Sequence, residues 1–217
     1  MLQPFLGSFI YNACMYVDLS VPLNQETPVY PGDTPVKIEQ ANLIDRNGYN
    51  DHVISINIHS GTHIDAPIHM IKGGKTLGAT PLEQFIGRGR LVSAEKEFSL
   101  ERLQQANIEE GDVVLFRTGM SKHYHEPLYF ETYPAMSEEI ARYLVERKVK
   151  MVGIDAGSVD NIDDFPVHKI LLAGDVLIIE NLTNLEQLID KSFTVYALPV
   201  KLDIDGAPAR VIAEVHG

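Results

Sequence analysis

Apolar and polar residues alternate with a period of two over several short stretches of the chain, a pattern that predicts strands. The most informative stretch runs from Asp51 to His59, where Ile54, Ile56 and Ile58 fall on one face and Ser55, Asn57 and His59 on the other. An apolar face turned to the core would leave a polar face that ends in His59, beside the turn Ser60-Gly61-Thr62. Further strands are predicted at Lys37–Leu43, Arg90–Ala94, Val113–Arg117, Lys150–Ile154, Val176–Glu180, Phe193–Pro199 and Ala209–Val215. Helical spacing is rarer. Ser137 reads as an N-cap ahead of an apolar stripe at Ile140, Tyr143 and Leu144. Ser99–Ala106, Pro166–Leu172 and Asn184–Ile189 are shorter candidates, with Pro166 suited to a first helical position and Gly174 to a stop. There is no repeat and no low-complexity linker. The count predicts an α/β fold, one strand-rich mixed domain with short helices packed on a sheet or sheets.

Composition narrows the function classes. The 217 residues are enough for one domain with a substantial core, and 45% hydrophobic against 22% charged is the balance of a globular protein. The formal charge is −12, from 18 basic and 30 acidic residues, and no Lys/Arg cluster offers the basic surface that a nucleic-acid partner requires. Cys14 is the only cysteine, so no internal disulfide is possible. No apolar run has the length that spans a bilayer, and no membrane partner is expected. Met1 to Cys14 contains no Lys or Arg, which fits a secretory signal poorly. Residues 1–14 are read as an N-terminal extension ahead of a domain over 15–217, with Met15 as an alternative start and the cytoplasm as the expected location.

The chemistry concentrates in one segment, His59-Ser-Gly-Thr-His63-Ile-Asp65-Ala-Pro-Ile-His69. It places three of the chain's 8 histidines beside a carboxylate. Neutral imidazole and carboxylate are the usual ligands of zinc, manganese and iron. A straight strand would hold His59 and His63 about 13 Å apart. Gly61 admits backbone angles closed to other residues, so a tight turn there can bring His63 and Asp65 back towards His59. The competing reading is a surface turn with polar residues around it, against which the ligand density argues.

This segment resembles the signature of the cyclase-like metal-dependent hydrolase family, whose members include bacterial kynurenine formamidases and isatin hydrolases. Asp18-Leu19-Ser20, Pro31-Gly32-Asp33, Gly153-Ile154-Asp155 and Asp205-Gly206-Ala207-Pro208-Ala209-Arg210 are similar to family landmarks in the same order. The resemblance implies a swivelling β/β/α domain, as a homodimer or homotetramer. It also draws attention to His168 and, twelve residues later, Glu180. The residues themselves place His168 in the first turn of a short helix and Glu180 after the apolar run Val176-Leu-Ile-Ile, where a buried acid needs a partner. Emergence of Glu180 into solvent with Asn181 is the alternative. By resemblance, His59, His63 and Asp65 hold a first zinc ion, Asp65 and Glu180 bridge to a second that His168 also binds, and His69 donates and accepts the proton. Tyr30 stands where the family's formamidases carry a tryptophan against the aromatic substrate.

The implied activity is hydrolysis of a small amide, an N-formyl arylamine such as N-formylkynurenine above all. A single-manganese enzyme opening a lactam or lactone ring is the second reading, and a non-catalytic protein stabilised by its metal the third. Structural zinc sites are usually closed by four protein ligands, often cysteines, whereas this segment has no cysteine and keeps His69 spare. His123 and His125 read as a solvated loop and His52 and His216 as surface residues, while Asp155 and Ser158, in a Gly-containing turn, are possible pocket residues. P-loop, Gly-x-Gly-x-x-Gly and Gly-x-Ser-x-Gly patterns are absent, so phosphoryl transfer, dinucleotide binding and serine hydrolysis find no support.

Overall fold

Strands that alternate Val, Leu, Ile and Phe without polar breaks must be buried on both faces, and such strands organise the chain. The computed structural model describes residues 15–216; the expected extension, 1–14, lies outside them. Its strands are β1 (Met15–Asp18), β2 (Lys37–Asn42), β3 (Asp51–Ser55), β4 (His63–Asp65), β5 (Ile86–Ser93), β6 (Val113–Arg117), β7 (Met151–Ile154), β8 (Leu177–Glu180), β9 (Ser192–Pro199) and β10 (Gly206–His216). Among the described residues five α-helices accompany them: α1 (Ile44–Asn47), α2 (Leu100–Gln105), α3 (Leu128–Glu131), α4 (Glu138–Glu146) and α5 (Pro166–Ala173).

The main sheet runs β1-β10-β4-β8-β7-β6-β5-β9, and β9 pairs with β10 as well as β5, so the sheet closes into a barrel. Pairing is parallel from β5 to β8 and antiparallel elsewhere. Helices fill the crossovers between the parallel strands, as such pairing demands. Two cores follow from the pleat of these strands. Ile64, Val113, Leu115, Met151, Ile179, Val195 and Val211 pack together on the inner side. Val114, Phe116, Val152, Ile154 and Ile178 face outward and meet Leu103, Ile140, Leu144 and Leu171 from the helices. Among the described residues no helix is long and apolar enough to cross a membrane.

Several expected elements form close to where the pattern puts them. The Ser137 hydroxyl accepts from Ile140 N at 3.3 Å at the start of α4, and Gly174 ends α5. Two readings change. Asn184–Ile189 holds only a 3-10 turn over Leu185–Leu188. The strand expected from Asp51 to His59 ends at Ser55, and it does not face the core: β3 pairs only with β2 in a separate hairpin, with Ile54 56% exposed. Alternation records that one face is apolar, but not that this chain supplies the surface covering it.

Candidate metal centre

The site is built where β4 meets β8, the point at which parallel pairing gives way to antiparallel. In β4 the pleat sends Ile64 into the barrel and leaves His63 and Asp65 together on the outer face. Cross-strand register sets His63 opposite Glu180, with His63 Nε2 and Glu180 Oε2 3.5 Å apart. The turn leading into β4 is held by Gly61 at φ +65°, a left-handed conformation natural to glycine. Thr62 Oγ1 donates to Asn181 O at 2.7 Å, and Asn181 Nδ2 donates to Gly61 O at 3.0 Å, which ties the turn to the end of β8. After Asp65, Pro67 starts a 3-10 turn over Pro67–His69 that brings the His69 ring within 4.2 Å of the His59 ring. The fold thus achieves the convergence that the glycine turn predicts.

His168 arrives from α5. The Asp160 carboxylate accepts from Val167 N at 3.0 Å, His168 N at 2.9 Å and His168 Nδ1 at 2.7 Å, capping the helix and turning the ring in one stroke. His168 Nε2 then lies 3.2 Å from Glu180 Oε1 and 3.6 Å from Asp65 Oδ2. His63 is held similarly, its Nδ1 donating to Gly61 O at 2.9 Å while Nε2 faces 3.4 Å from Asp65 Oδ1. Both ring nitrogens of His59 face carboxylates, Nδ1 at 2.7 Å from Asp65 Oδ1 and Nε2 at 2.9 Å from Asp205 Oδ2.

Two atoms at the centre carry the decisive signal. His63 Nε2 and Asp65 Oδ2 are buried without any hydrogen-bond partner. Leaving such a group unsatisfied costs about 1–3 kcal/mol each. Two nearly inaccessible carboxylates, Asp65 and Glu180, stand beside them. A divalent cation satisfies all of these at once, and the donor atoms already lie close enough. Those of His63, Asp65 and Glu180 fall within 4.8 Å of one another, as do those of His59, Asp65 and His69. Burial acts to raise the Asp65 carboxyl, but the imidazoles of His63, His168 and His59 hold it well below the usual range. Burial acts to lower His59, yet Asp65 and Asp205 outweigh it and push the ring up to about 9. His69 is different. Burial dominates there and lowers it.

The cluster floors a cavity of about 490 Å³ that is open to solvent. Its other wall is aromatic and apolar: Pro28, Tyr30, Met70, Phe130 and Phe165. Tyr30 meets Phe130 edge-on at 5.8 Å. All the expected site residues except His63 line the cavity, and His63 sits buried behind the others. Ser158 also lines it, whereas Asp155 does not. Asp155 is buried and spends its carboxylate on Thr118 N (2.6 Å), Thr118 Oγ1 (2.7 Å) and Gly119 N (2.9 Å), securing the loop after β6. His123, His125, His52 and His216 lie outside the cavity, as expected. Asp160, Asp205, Phe130 and Phe165 are additions that the sequence did not single out for a role. The nearest signal in the sequence is the segment Asp205 to Arg210, similar to a family landmark.

Comparison with known proteins points the same way. The Cyclase family model matches residues 17–161. A kynurenine formamidase of Bacillus cytotoxicus is 34% identical over 206 residues, covering 92% of this chain and 97% of that protein. Among solved structures, one titled a "Potential Metal-Dependent Hydrolase With Cyclase Activity" is 31% identical with a TM-score of 0.80, covering 94% of this chain and 100% of that one. Isatin hydrolase A from Labrenzia aggregata, bound to benzyl benzoate, is 26% identical with a TM-score of 0.84, covering 94% of each chain.

Proposed function

The chain belongs to the cyclase family, and from that premise we propose that it is a metal-dependent hydrolase of small amides, an arylformamidase whose substrates include an N-formyl arylamine such as N-formylkynurenine. The observation that carries this reading is the pair of orphaned buried atoms, Asp65 Oδ2 in the cluster that floors an open cavity and His63 Nε2 directly behind it. A structural ion is normally closed off by protein ligands, whereas this cluster opens towards an aromatic wall.

In the proposed centre His59, His63 and Asp65 hold one ion, and Asp65, His168 and Glu180 a second. Zinc is the expected metal at both positions, with manganese as the alternative. When bound, a divalent ion supplies hydroxide at neutral pH and polarises a carbonyl oxygen. The chain's own residues do the rest. His69, at the cavity edge of the cluster, accepts the proton of the attacking water and returns it to the departing nitrogen. Without that return the amine is too poor a leaving group. Tyr30 and Phe130 hold the aryl group against the opposite wall. A homodimer or homotetramer is the proposed assembly.

Metal analysis of the purified protein, coupled to hydrolysis of formanilides, lactams and lactones, tests the reading. We expect two ions per chain and stoichiometric formate from the formanilides. The likeness to isatin hydrolase A favours ring opening as the second reading. One ion per chain, with lactams opened and formanilides untouched, would establish that reading instead. Tyr30 has its own test. Tyr30→Ala should lower kcat/KM several-fold for an aromatic formamide and leave a small aliphatic one unchanged, and Tyr30→Trp should raise the first selectively. An aromatic contact contributes about 0.5–1.5 kcal/mol beyond area burial, so no larger effect is expected. Equal effects on both substrates would remove Tyr30 from the pocket.

A further inference from the structure

A metal-ligating imidazole has two nitrogens and one useful lone pair, so something outside the cluster must take the remaining N–H and thereby choose the tautomer. For His63 that acceptor is Gly61 O, and for His168 it is Asp160 Oδ2, both engaging Nδ1 and leaving Nε2 facing the carboxylates of Asp65 and Glu180. His59 is arranged the other way round. Its Nδ1 faces Asp65, and the oxygen outside the cluster that meets Nε2 at 2.9 Å is Asp205 Oδ2. The same Asp205 Oδ2 stands 3.5 Å from His69 Nδ1.

The backbone around Asp205 is fixed for this purpose. Ala66 N donates to Asp205 O at 2.8 Å, and Leu77 N donates to Ile204 O at 2.9 Å, pinning the approach to β10 from two sides. The next residue, Gly206, is paired with Asp65 in the β10–β4 ladder. A Cβ on Gly206 would fall 2.8 Å from Ile64 O and 3.1 Å from His59 Cε1. Only glycine therefore lets the His59 ring lie against this edge while the preceding carboxylate reaches its far nitrogen. Asp205 itself remains 43% exposed in its side chain, so the barrel does not depend on it for packing.

We propose that Asp205 is a positioning residue of this site: its Oδ2 accepts the hydrogen bond from His59 Nε2–H, which leaves the Nδ1 lone pair to the metal, and it holds the His69 ring beside that ligand. The proposal rests on the metal-hydrolase reading above. Under it, one carboxylate orients both a ligand and the proton-transfer residue, and its loss should impair metal affinity and turnover together.

The test compares wild type, Asp205→Ala and Asp205→Asn, all checked for thermal unfolding. Zinc affinity is read by competition with a chromophoric chelator, without substrate, and kcat and KM on a formanilide are read at saturating zinc. Removing an outer partner of a metal-bound histidine typically costs about 10–100-fold in metal affinity or activity, and Asp205→Ala should show that loss in both the zinc dissociation constant and kcat, with KM little changed. Asp205→Asn keeps an oxygen acceptor for His59 and should recover most of the zinc affinity. An alanine variant that binds zinc and turns over like wild type would overturn the proposal, as would an asparagine variant that binds zinc no better than the alanine one. Failure of the underlying reading looks different, because wild type itself would then bind no zinc and hydrolyse nothing.

Discussion

Replacing His63 and replacing His69 should have opposite consequences for the metal. His63 Nε2 is buried, partnerless and turned to two carboxylates, so it has no substitute nearby. His63→Ala and Asp65→Asn should each lose most bound metal and nearly all hydrolysis. Full metal occupancy in either purified variant would refute their role as ligands. His69 stands at the edge of the cluster and faces the cavity. His69→Ala should keep the metal while kcat falls by about two to four orders of magnitude, the range for a lost general acid–base group. Metal loss in that variant would make His69 a ligand instead. At this scale the sequence was readable where chemistry is fixed by residue type. His59, His63, Asp65 and His69 declare themselves in one segment, whereas His168 and Glu180 stand out only through the family resemblance. Asp160 and Asp205 do not, because an acceptor for an imidazole N–H can come from anywhere in the chain, and even from a carbonyl such as Gly61 O.

The elements show what short-range patterns carry and what they miss. β6, β8 and the Ser137 cap were legible because continuous apolar runs and a capping hydroxyl are local signals. β4 was not, since three residues are too few to show a period, and it exists only because β8 and β10 flank it. Its geometry depends on Gly61. Gly61→Ala would force a side chain into φ +65° with Leu23 Cδ1 3.3 Å away. That substitution should cost about 1–2 kcal/mol of stability and weaken metal binding, as the turn carries Gly61 O, the acceptor for His63. Unchanged metal affinity would separate the turn from the site. On the far side of the barrel, Asp112 binds Arg88 Nε at 2.8 Å and Arg90 Nε at 3.1 Å, linking β5 to the start of β6. Burial acts to raise its pKa, but Arg88, the Glu109 amide and Arg90 hold it below the usual value. A folded-state pKa below the unfolded one stabilises fully above the unfolded value, about 4, and the gain is lost as pH falls through the folded value. Asp112→Asn should therefore lower the urea midpoint at pH 7, with the gap to wild type closing in acid. A gap independent of pH would show that packing, not charge, is responsible.

For the whole molecule, the unresolved demand of the fold is the β2–β3 hairpin. It stands apart from the barrel as a two-stranded sheet, and every residue of β3 is exposed. Val53 and Ile54 are 58% and 56% exposed, with Ile44 and Tyr49 similarly uncovered on the connecting segment. An isolated two-stranded hairpin is marginal in water, and apolar side chains on both of its faces make solvent a poor setting for it. The proposed homo-oligomer would supply that cover, since most oligomers are symmetric and a two-fold contact would cover both hairpins alike. The hairpin also leads directly into Asn57 and Ile58, which line the cavity, so a partner gripping it would brace the rim of the site. Sedimentation equilibrium should find wild type as a dimer or larger assembly. The double substitution Val53→Asp with Ile54→Asp should shift it towards monomer while leaving the thermal unfolding of the barrel nearly unchanged, because neither residue packs into either core. kcat/KM should fall with the assembly if the partner braces the cavity rim, and metal content should not. A wild type that sediments as a monomer, or a double variant that assembles like wild type, would show that the hairpin is not the interface.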